Sequence, residues 1–427
     1  MRNIWRDRNG NFAIMTALLA VPLFGAAGVA LDISQALVVK EDLQKAADAT
    51  ALAAIAKNSP YVIEARKMSG DGPIIAQGNV SMDFFNKASA DHGDDFVVTN
   101  IALKVNKTGN EVESYVEYKA TVNTTLSQLL NMEFFTVSGK ATGKYVTERY
   151  TNFYLLLDNT PSMGVGATPR DVATLVANTR DQCAFACHDV SAGANSYYNL
   201  AKKLGVTTRI DVVSKATVAL MDTAADMRLV PNQYRMAVYT FGEKAEDTKL
   251  LEVVPLTADL ALAKSSASKI DLMSIPKQGY DNDQQTDFDR AMTQIGSKMG
   301  LQGDGNSAVT PEKVLFFVSD GVGDSYKPTI CTKRTTGGRC QEPIDTKLCS
   351  ALKSQGYRIA VLYTTYLPLP TDGWYNQWIS PFQSEISGRM QDCASPGLFF
   401  EVSPTQGIAD AMSALFKRVV TSPRLSG

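Results

Sequence analysis

Three polar side chains directly follow an unbroken apolar run, and their spacing is that of a metal-binding loop. The run covers residues 153–157 and stops at Asp158, after which Thr160 and Ser162 stand at alternating positions. Such a run is typical of a buried central strand of an α/β sheet, and open sheets of this class bind ligands at the carboxyl ends of their strands. One carboxylate and two hydroxyls are hard oxygen ligands, which suit Mg²⁺ and also Mn²⁺ or Ca²⁺.

Two more oxygen donors follow later in the chain. Residues 312–319 form a second buried-strand pattern that ends at Asp320, and Thr286 precedes an amphipathic helix predicted at 288–299. Taken singly, each of these side chains has an ordinary explanation as a turn residue or a helix cap. Because the three patterns occur in order at strand ends, we predict that Thr286 and Asp320 complete the metal site begun by Asp158.

Composition excludes several classes of function. The chain has 427 residues, which indicates two or three structural units, and its net charge of −2 gives no electrostatic basis for nucleic-acid binding. It contains two histidines, His92 and His188, so an imidazole metal site or a Ser-His-Asp triad would have to use one of them. With no catalytic motif in view, we predict that the protein is not an enzyme.

Six cysteines all lie beyond residue 180, and an even number in one region indicates disulfides formed in an oxidising compartment. The preferred pairing joins neighbours in sequence: Cys183–Cys187, Cys331–Cys340 and Cys349–Cys393. A haem or zinc site at 183–188 is disfavoured, because three residues separate the two cysteines and no further ligand is evident.

The amino terminus reads as a membrane anchor. Residues 12–31 form an apolar run of about 20 residues, enough for one helical crossing. Arginines precede it and acids follow it, which predicts a cytoplasmic leader at 1–11 and the bulk of the chain outside. A cleaved secretory signal is the alternative. A pilin-type leader cut after Gly10 is a further alternative, although Met15 stands where such leaders have glutamate.

The next two segments extend outward from the membrane. Residues 32–59 predict an amphipathic, alanine-rich helix whose small residues face either a partner helix or the following domain of the same chain. Residues 60–150 predict a small β-rich domain, with strands at 96–105, 111–122 and 134–147.

Residues 151–422 alternate between strand and helix patterns, which predicts an α/β domain with a doubly wound, mostly parallel, Rossmann-like sheet. The predicted strands are 152–157, 235–241, 251–255, 312–319, 358–363 and 398–402. The predicted helices are 211–228, 260–272, 288–299, 346–355, 374–391 and 408–420. Insertions at 164–208 and 324–343 interrupt this pattern and are expected to rise over the metal edge.

An aromatic, proline-rich segment follows the fifth predicted strand of this domain. Its rings are candidates for protein contact, because tryptophan and tyrosine are enriched at binding hot spots. The candidate partner-binding residues are Tyr366, Trp374, Tyr375 and Trp378.

Two groups of motifs resemble known families. R-N-G-N-F-A-I-M-T-A-L-L-A-V-P at 8–22 and D-L-Q-K-A-A-D-A-T-A-L-A-A at 42–54 resemble the amino terminus of TadE/TadG-like proteins, which help assemble Flp (Tad) pili. Residues 183–188 and the closing segment from Cys393 are similar to the TadG-like branch. The oxygen donors resemble the metal-ion-dependent adhesion site of von Willebrand factor type A domains, with Thr160 in place of the first serine.

The resemblance implies a single-pass protein of the inner membrane whose bulk is periplasmic or extracellular. Its expected partners are other pilus-assembly or pilin proteins, including a TadE-like helix, and they would bind through a carboxylate on the metal. Two alternatives stay open. One is a metal-dependent hydrolase or phosphatase, although Thr160 stands where haloacid-dehalogenase phosphatases have a second aspartate. The other is a structural scaffold with an empty site.

Overall fold

The chain folds into two compact units, Met1–Glu148 and Arg149–Gly427. A computed structural model describes residues 10–76, 85, 96–280, 285–327, 329–403 and 407–421. Most of the predicted leader at 1–11 therefore lies outside the described residues.

The first unit consists of a long helix, a short helix and an antiparallel sheet. The helices are α1, Gly10–Ala54, and α2, Pro60–Ala65. The strands are β1, Gly72–Pro73; β2, Phe96–Thr108; β3, Glu111–Asn123; and β4, Phe134–Val146. They form a four-stranded sheet in the order β1-β2-β3-β4, which matches the β-rich domain expected from the alternating sequence pattern.

The two halves of α1 have different surroundings. Within the described part of the helix, Ile14–Ala54 is long and apolar enough to cross a membrane, and its most apolar stretch is almost entirely unburied. The second half packs its small residues onto β3 and β4, where Ala47 and Leu43 contact the cluster around Tyr118. The small-residue face predicted as a possible site for a partner helix is thus covered by the chain's own sheet.

The second unit is built around a six-stranded sheet. Its strands are β5, Thr151–Leu157; β6, Tyr234–Thr240; β7, Leu251–Thr257; β8, Glu312–Ser319; β12, Arg358–Thr364; and β13, Phe399–Val402. A separate small sheet contains β9, Val322–Tyr326; β10, Thr335–Thr336; and β11, Arg339–Pro343. The large sheet has the order β13-β12-β8-β5-β6-β7, and only the pairing of β6 with β7 is antiparallel. The predicted α/β class and mostly parallel sheet are confirmed.

Helices cover the sheet from both sides. They are α3, Pro169–Asn178; α4, Tyr197–Lys203; α5, Arg209–Met227; α6, Leu260–Ala267; α7, Phe288–Met299; α8, Lys347–Ser354; α9, Gln383–Cys393; and α10, Ile408–Thr421. Alternate side chains of β5 enter two different core clusters, because successive residues of a strand point to opposite faces. Leu156 packs with α7, α8 and α9, and Leu155 packs with α5, α6 and α10.

One predicted helix is interrupted. The segment predicted at 374–391 contains a π-helical turn at Tyr375–Ile379 and a 3₁₀ turn at Ser380–Phe382 before α9 begins. Pro381 lies in the 3₁₀ turn, and because proline has no N–H it cannot continue the hydrogen bonding of a regular helix.

Candidate metal centre

The ends of the adjacent parallel strands β5 and β8 bring the two predicted carboxylates together. Asp158 directly follows β5 and Asp320 directly follows β8, and both side chains are fully buried. The Asp158 N–H donates to the Val318 carbonyl at 2.9 Å, which extends the pairing of the two strands into the site. The strand order therefore joins residues that are far apart in sequence.

A chain of hydroxyl groups links the predicted donors. The Thr286 Oγ1 donates to the Thr160 Oγ1 at 2.8 Å, and the Thr160 Oγ1 donates to the Asp158 Oδ1 at 2.7 Å. The second Asp158 oxygen accepts from the Ser319 Oγ at 2.6 Å. A hydroxyl has one hydrogen and two lone pairs, so Thr286, whose hydrogen points to Thr160, keeps both of its lone pairs.

Thr286 is held by backbone pairing and does not cap the following helix. Its N–H donates to the Asp324 carbonyl at 3.0 Å, and the Asp324 N–H donates back to the Thr286 carbonyl at 3.1 Å. The N-cap of α7 is Asp287, whose carboxylate accepts from the Arg290 N–H. The ordinary explanation of Thr286 as a helix cap is therefore wrong, and its hydroxyl is available to the site.

A residue that the sequence did not suggest, Arg209, joins the centre. Its Nη1 donates to the Asp320 Oδ2 at 3.1 Å, and both side chains are completely buried. The other Asp320 oxygen accepts from the Val322 N–H at 3.2 Å. The site thus contains two carboxylates and one fixed positive charge.

The guanidinium of Arg209 is incompletely satisfied. Its Nε and Nη2 are buried without a hydrogen-bond partner among the described residues. Its carbon lies 4.8 Å from the centre of the Tyr366 ring, a cation–π arrangement that stabilises the charge without satisfying the N–H groups. Buried donors without a partner are uncommon because they cost free energy. Where they do occur, they often mark a functional site.

A periodic signal in the sequence could have revealed this arginine. Four of the nine buried residues of α5 follow helical spacing along one line of the helix: Arg209, Val213, Ala216 and Leu220. The predicted helix began at residue 211, so Arg209 stood outside the pattern by two positions. An arginine on an apolar helix face requires a buried anionic partner, and Asp320 is that partner.

Ser162 supplies an unused hydroxyl. It lies in the 3₁₀ turn Pro161–Gly164 that follows β5, and its Oγ is buried without a hydrogen-bond partner of normal geometry among the described residues. It is close enough to Asp320 to lower the pKa of that carboxyl. We expect a metal ligand to be in this state before the metal binds, with its oxygen buried and without a regular hydrogen bond.

Burial and mutual repulsion disfavour the charged forms of the two carboxyls. Burial raises the pKa of Asp158 to about 7, and the nearby charge of Asp320 acts in the same direction. Burial also raises the pKa of Asp320, while Arg209 opposes that shift. One guanidinium does not balance two buried carboxylates, so an additional cation would relieve the remaining repulsion.

The donor set fits a divalent cation. The oxygens of Ser162, Thr286 and Asp320 are the available donors, while Asp158 and Thr160 orient the Thr286 hydroxyl through hydrogen bonds. All are hard oxygen donors, as Mg²⁺ prefers. Occupation of the site by a metal stays a prediction.

A cavity of about 290 Å³ opens onto Ser162 and Thr286. The insertion at 164–208 contributes Cys183 and Phe185 to its wall, and β9 and β11 of the second insertion contribute residues that include Arg339. The Arg339 Nη1 donates to the Tyr280 carbonyl at 3.0 Å, which ties the second insertion to the segment that precedes Thr286. Both insertions thus border the space in front of the candidate metal centre.

The predicted aromatic contact surface needs correction. Tyr366 and Tyr375 are buried and stack with ring centres 6.1 Å apart, so they belong to the core. Trp374 is 37% exposed and borders the cavity, and Trp378 is partly buried against the core. Of the four candidates, Trp374 is the one that presents a large exposed surface beside the site.

Two of the three predicted disulfides are confirmed. Cys331–Cys340 and Cys349–Cys393 are bonded. The predicted Cys183–Cys187 bond is absent, because both residues are buried free thiols, and the N–H of Phe185 donates to the Cys183 sulfur at 3.4 Å. A hydrogen bond from Cys187 is the main cause that lowers the pKa of the Cys183 thiol, so the two sulfurs are neighbours without being bonded.

Several solved structures are similar to this chain. The pilus adhesin SpaC from Lactobacillus rhamnosus GG has 11% identity and a TM-score of 0.37, over 76% of this chain and 34% of SpaC. The von Willebrand factor domain of the type V pili tip protein Mfa5 from Porphyromonas gingivalis has 9% identity and a TM-score of 0.38, over 66% of this chain and 99% of that domain. The PilB minor pilin from Streptococcus sanguinis has 10% identity and a TM-score of 0.36, over 76% of this chain and 78% of the pilin. This chain spans about a third of the length of SpaC.

The sequence comparisons concern the amino terminus. No curated protein matches the chain. Residues 10–62, which include the whole of α1, match the family model described as putative Flp pilus-assembly TadE/G-like. The amino-terminal segment of this chain is therefore similar to the TadE/G-like domains of Flp pilus assembly.

Proposed function

We propose that this protein is a membrane-anchored, extracytoplasmic component of Flp (Tad) pilus assembly or adhesion, and that it binds carboxylates of partner proteins through a divalent cation. The TadE/G-like match at residues 10–62 supports the pilus role. The binding function belongs to the second unit, which we assign to the doubly wound von Willebrand factor type A class. The protein acts by binding and not by catalysis.

The convergence of oxygen donors at one sheet edge carries this proposal. Asp158 and Thr286 are 128 positions apart by their numbers, yet both are one hydrogen bond from Thr160. The Ser162 hydroxyl is buried without a hydrogen bond of normal geometry among the described residues, which supports a ligand that is still to be added. A divalent cation would supply a Lewis acid that binds a carboxylate oxygen of a partner.

The chain's own residues prepare the site for that role. Asp158 accepts from Thr160 and Ser319, and this directs the hydroxyl hydrogens away from the other donors. Arg209 holds Asp320 through one oxygen and reduces the negative charge of the site to a single excess carboxylate. A divalent cation and one partner carboxylate would then bring the total charge to zero, which favours binding of the two together.

The amino-terminal helix supports the location. We assign the apolar part of α1 as a single span of the inner membrane, with both units on the periplasmic or extracellular side. Pilins or other assembly proteins are the proposed partners. They would approach over the cavity that Trp374 and Arg339 border.

Metal binding to the full chain in detergent tests the proposal. We expect Mn²⁺ to bind at one site, as measured by electron paramagnetic resonance, and Ser162→Ala to weaken its affinity by at least about tenfold. Acetate, as a carboxylate probe, should tighten Mn²⁺ binding. Ser297→Ala is the matched control, because Ser297 lies on the exposed face of α7 and its hydroxyl donates to the Thr293 carbonyl of its own helix. Equal Mn²⁺ affinity of the wild type and Ser162→Ala would refute the site.

One observation favours a second function, that of a structural scaffold whose site holds no metal. Arg209 already provides a buried cation to Asp320. In that case the wild-type chain would bind no Mn²⁺ and would purify without a divalent metal. Metal analysis of the purified full chain therefore separates the two functions.

A further inference from the structure

The hairpin that joins β3 to β4 presents an apolar tip to solvent. Its centre is a 3₁₀ turn at Ser127–Leu130, and Leu129 is 87% exposed. The other large apolar side chains exposed around it are Leu126, Leu130, Met132 and Phe134. Isolated apolar residues on a surface need no explanation, but five in a stretch of nine residues do.

The tip lies against the apolar part of α1. A Cβ added to Gly28 would be 2.8 Å from the Leu126 Cβ, and one added to Gly25 would be 3.6 Å from the Leu130 Cδ1. The glycine at position 28 is thus needed for the close approach of the hairpin. Since a helix rises about 1.5 Å per residue, Gly28 lies about 6 Å closer to the amino terminus than Asp32, the first acid after the apolar run.

Few ionisable residues occur in this region. The apolar run of α1 contains no ionisable residue between Arg8 and Asp32. In the hairpin, Glu133 is the one ionisable residue between Lys119 and Lys140. The tip and the neighbouring part of α1 therefore form a largely apolar surface, with Glu133 as its ionisable residue.

Asp32 satisfies the backbone of the turn. Its carboxylate accepts from the N–H groups of Thr125, Leu126 and Ser127 at 3.1, 3.0 and 2.6 Å, and its side chain is buried. Three donors that a turn normally gives to water are thus paired inside the protein. Pairing of this kind is required where a loop enters a lipid environment, because unpaired backbone groups cost several kcal/mol in hydrocarbon.

We propose that the β3–β4 tip inserts into the outer leaflet beside α1 and forms a second membrane contact of the first unit. This inference rests on the proposed membrane span of α1, and lipid is the occupant because the tip continues the apolar surface of that span. Its depth of about 6 Å below Asp32 is that of interfacial elements, which bury their apolar face about 5–10 Å. The contact would fix the orientation of the β sheet relative to the membrane.

Photocrosslinking in vesicles tests the insertion. The full chain is reconstituted into vesicles of phosphatidylethanolamine and phosphatidylglycerol with a photoreactive benzophenone amino acid at Leu129, Leu23 or Ile75. Leu23 reports on the span itself. Ile75 is the matched control, because it is 85% exposed but follows the end of β1, about 30 Å along the sheet from the tip.

The three positions separate the possible results. We expect lipid adducts at positions 129 and 23, several-fold above those at position 75. Adducts at position 23 with none above the control at 129 would overturn the tip insertion and leave the membrane span intact. Lipid adducts at neither position would reject the span as well, and crosslinks from 129 to a second copy of the chain would show that protein, and not lipid, covers the tip.

A fluorescence measurement provides an independent check. Leu129→Trp and Ile75→Trp are compared in vesicles whose acyl chains carry bromine, and the three native tryptophans contribute equally to both variants. Bromine should quench a larger share of the emission in Leu129→Trp. Equal quenching in the two variants would contradict the proposal.

Discussion

Two arginine–carboxylate pairs in this protein, one largely buried and one fully buried, are satisfied to very different degrees. In the first unit, Arg66 donates through Nε and Nη2 to both oxygens of Glu148 at 2.9–3.0 Å, and through Nη1 to the Lys57 carbonyl at 2.9 Å. In the second unit, Arg209 makes one bond to Asp320, and two of its nitrogens have no partner among the described residues. The complete pair fastens the end of β4 to α2, and the incomplete pair lies in the candidate metal centre.

The difference shows how to separate a structural ion pair from a functional one. A bidentate pair with a third hydrogen bond compensates the desolvation of both charges, and it needs nothing more. At Asp320 the desolvation is more severe, a second carboxylate lies nearby, and the compensation is partial. A site that remains unsatisfied in a well-packed domain is prepared for an additional ligand.

Replacing either arginine with methionine should give the largest change in the free energy of unfolding. Arg209→Met leaves two buried carboxylates without a cation, so the free energy of unfolding should fall by about 3–5 kcal/mol in the absence of metal. Excess Mg²⁺ should restore much of this loss, because the metal replaces the missing charge. Chemical denaturation of the full chain with and without Mg²⁺ measures both effects.

Arg66→Met is the matched control for this prediction. It also breaks a largely buried pair and should destabilise the protein, but the charge of Arg66 is matched by the one carboxylate, Glu148, to which it bonds among the described residues, so the pair carries no excess negative charge. Mg²⁺ should therefore leave its stability unchanged. Equal rescue of both variants would mean that Mg²⁺ acts on the protein in general and not at the candidate site.

The incomplete pair should also make stability depend on pH. The pKa of Asp158 is raised from 3.8 to about 7, so the folded protein binds more protons than the unfolded chain between these values. The free energy of unfolding of the metal-free protein should therefore fall as pH rises from about 4 to about 7, with a slope of up to about 1.4 kcal/mol per pH unit. Denaturation curves in a chelating buffer across this range test the slope.

Two controls connect this slope to the site. Saturating Mg²⁺ should flatten it, because the metal stabilises the charged carboxylates. Asp158→Asn should flatten it too, whereas Asp226→Asn, on the exposed surface of α5, should retain it. A slope unaffected by Asp158→Asn would assign the pH dependence to other groups.

The sequence contained enough information for the sheet and for most of the site. The apolar runs that end at Asp158 and at Asp320 are strong local signals, because a strand buried on both faces has no polar alternation. Their order in the chain also predicted that Thr286 lies beside them, and its hydroxyl donates to Thr160, while its role as a metal ligand stays a prediction. Two disulfides were predicted from proximity in sequence, and both are confirmed.

What the sequence did not reveal depends on contacts over long distances. The role of Arg209 can be recognised only when the fold places it beside Asp320, which is 111 positions later by their numbers. The burial of Tyr366 follows from the same pair, since its ring covers the guanidinium. The face of α1 was ambiguous because small residues fit a neighbouring sheet as well as a neighbouring helix, and periodicity alone cannot distinguish the two.

Replacing the arginines with lysine should change the free energy of unfolding least, and it compares the hydrogen bonds of the two pairs while the charge is kept. A lysine keeps the charge but concentrates its donors on one atom, so it cannot reproduce a fork of planar hydrogen bonds. Arg66→Lys should therefore cost about 1–3 kcal/mol in the free energy of unfolding, since it loses bonds to Glu148 and to the Lys57 carbonyl. Arg209→Lys should cost less, because Arg209 makes a single bond and its other nitrogens have none to lose. If instead Arg209→Lys is the more costly of the two in metal-free protein, the planar contact with Tyr366 and not the charge holds Arg209 in place.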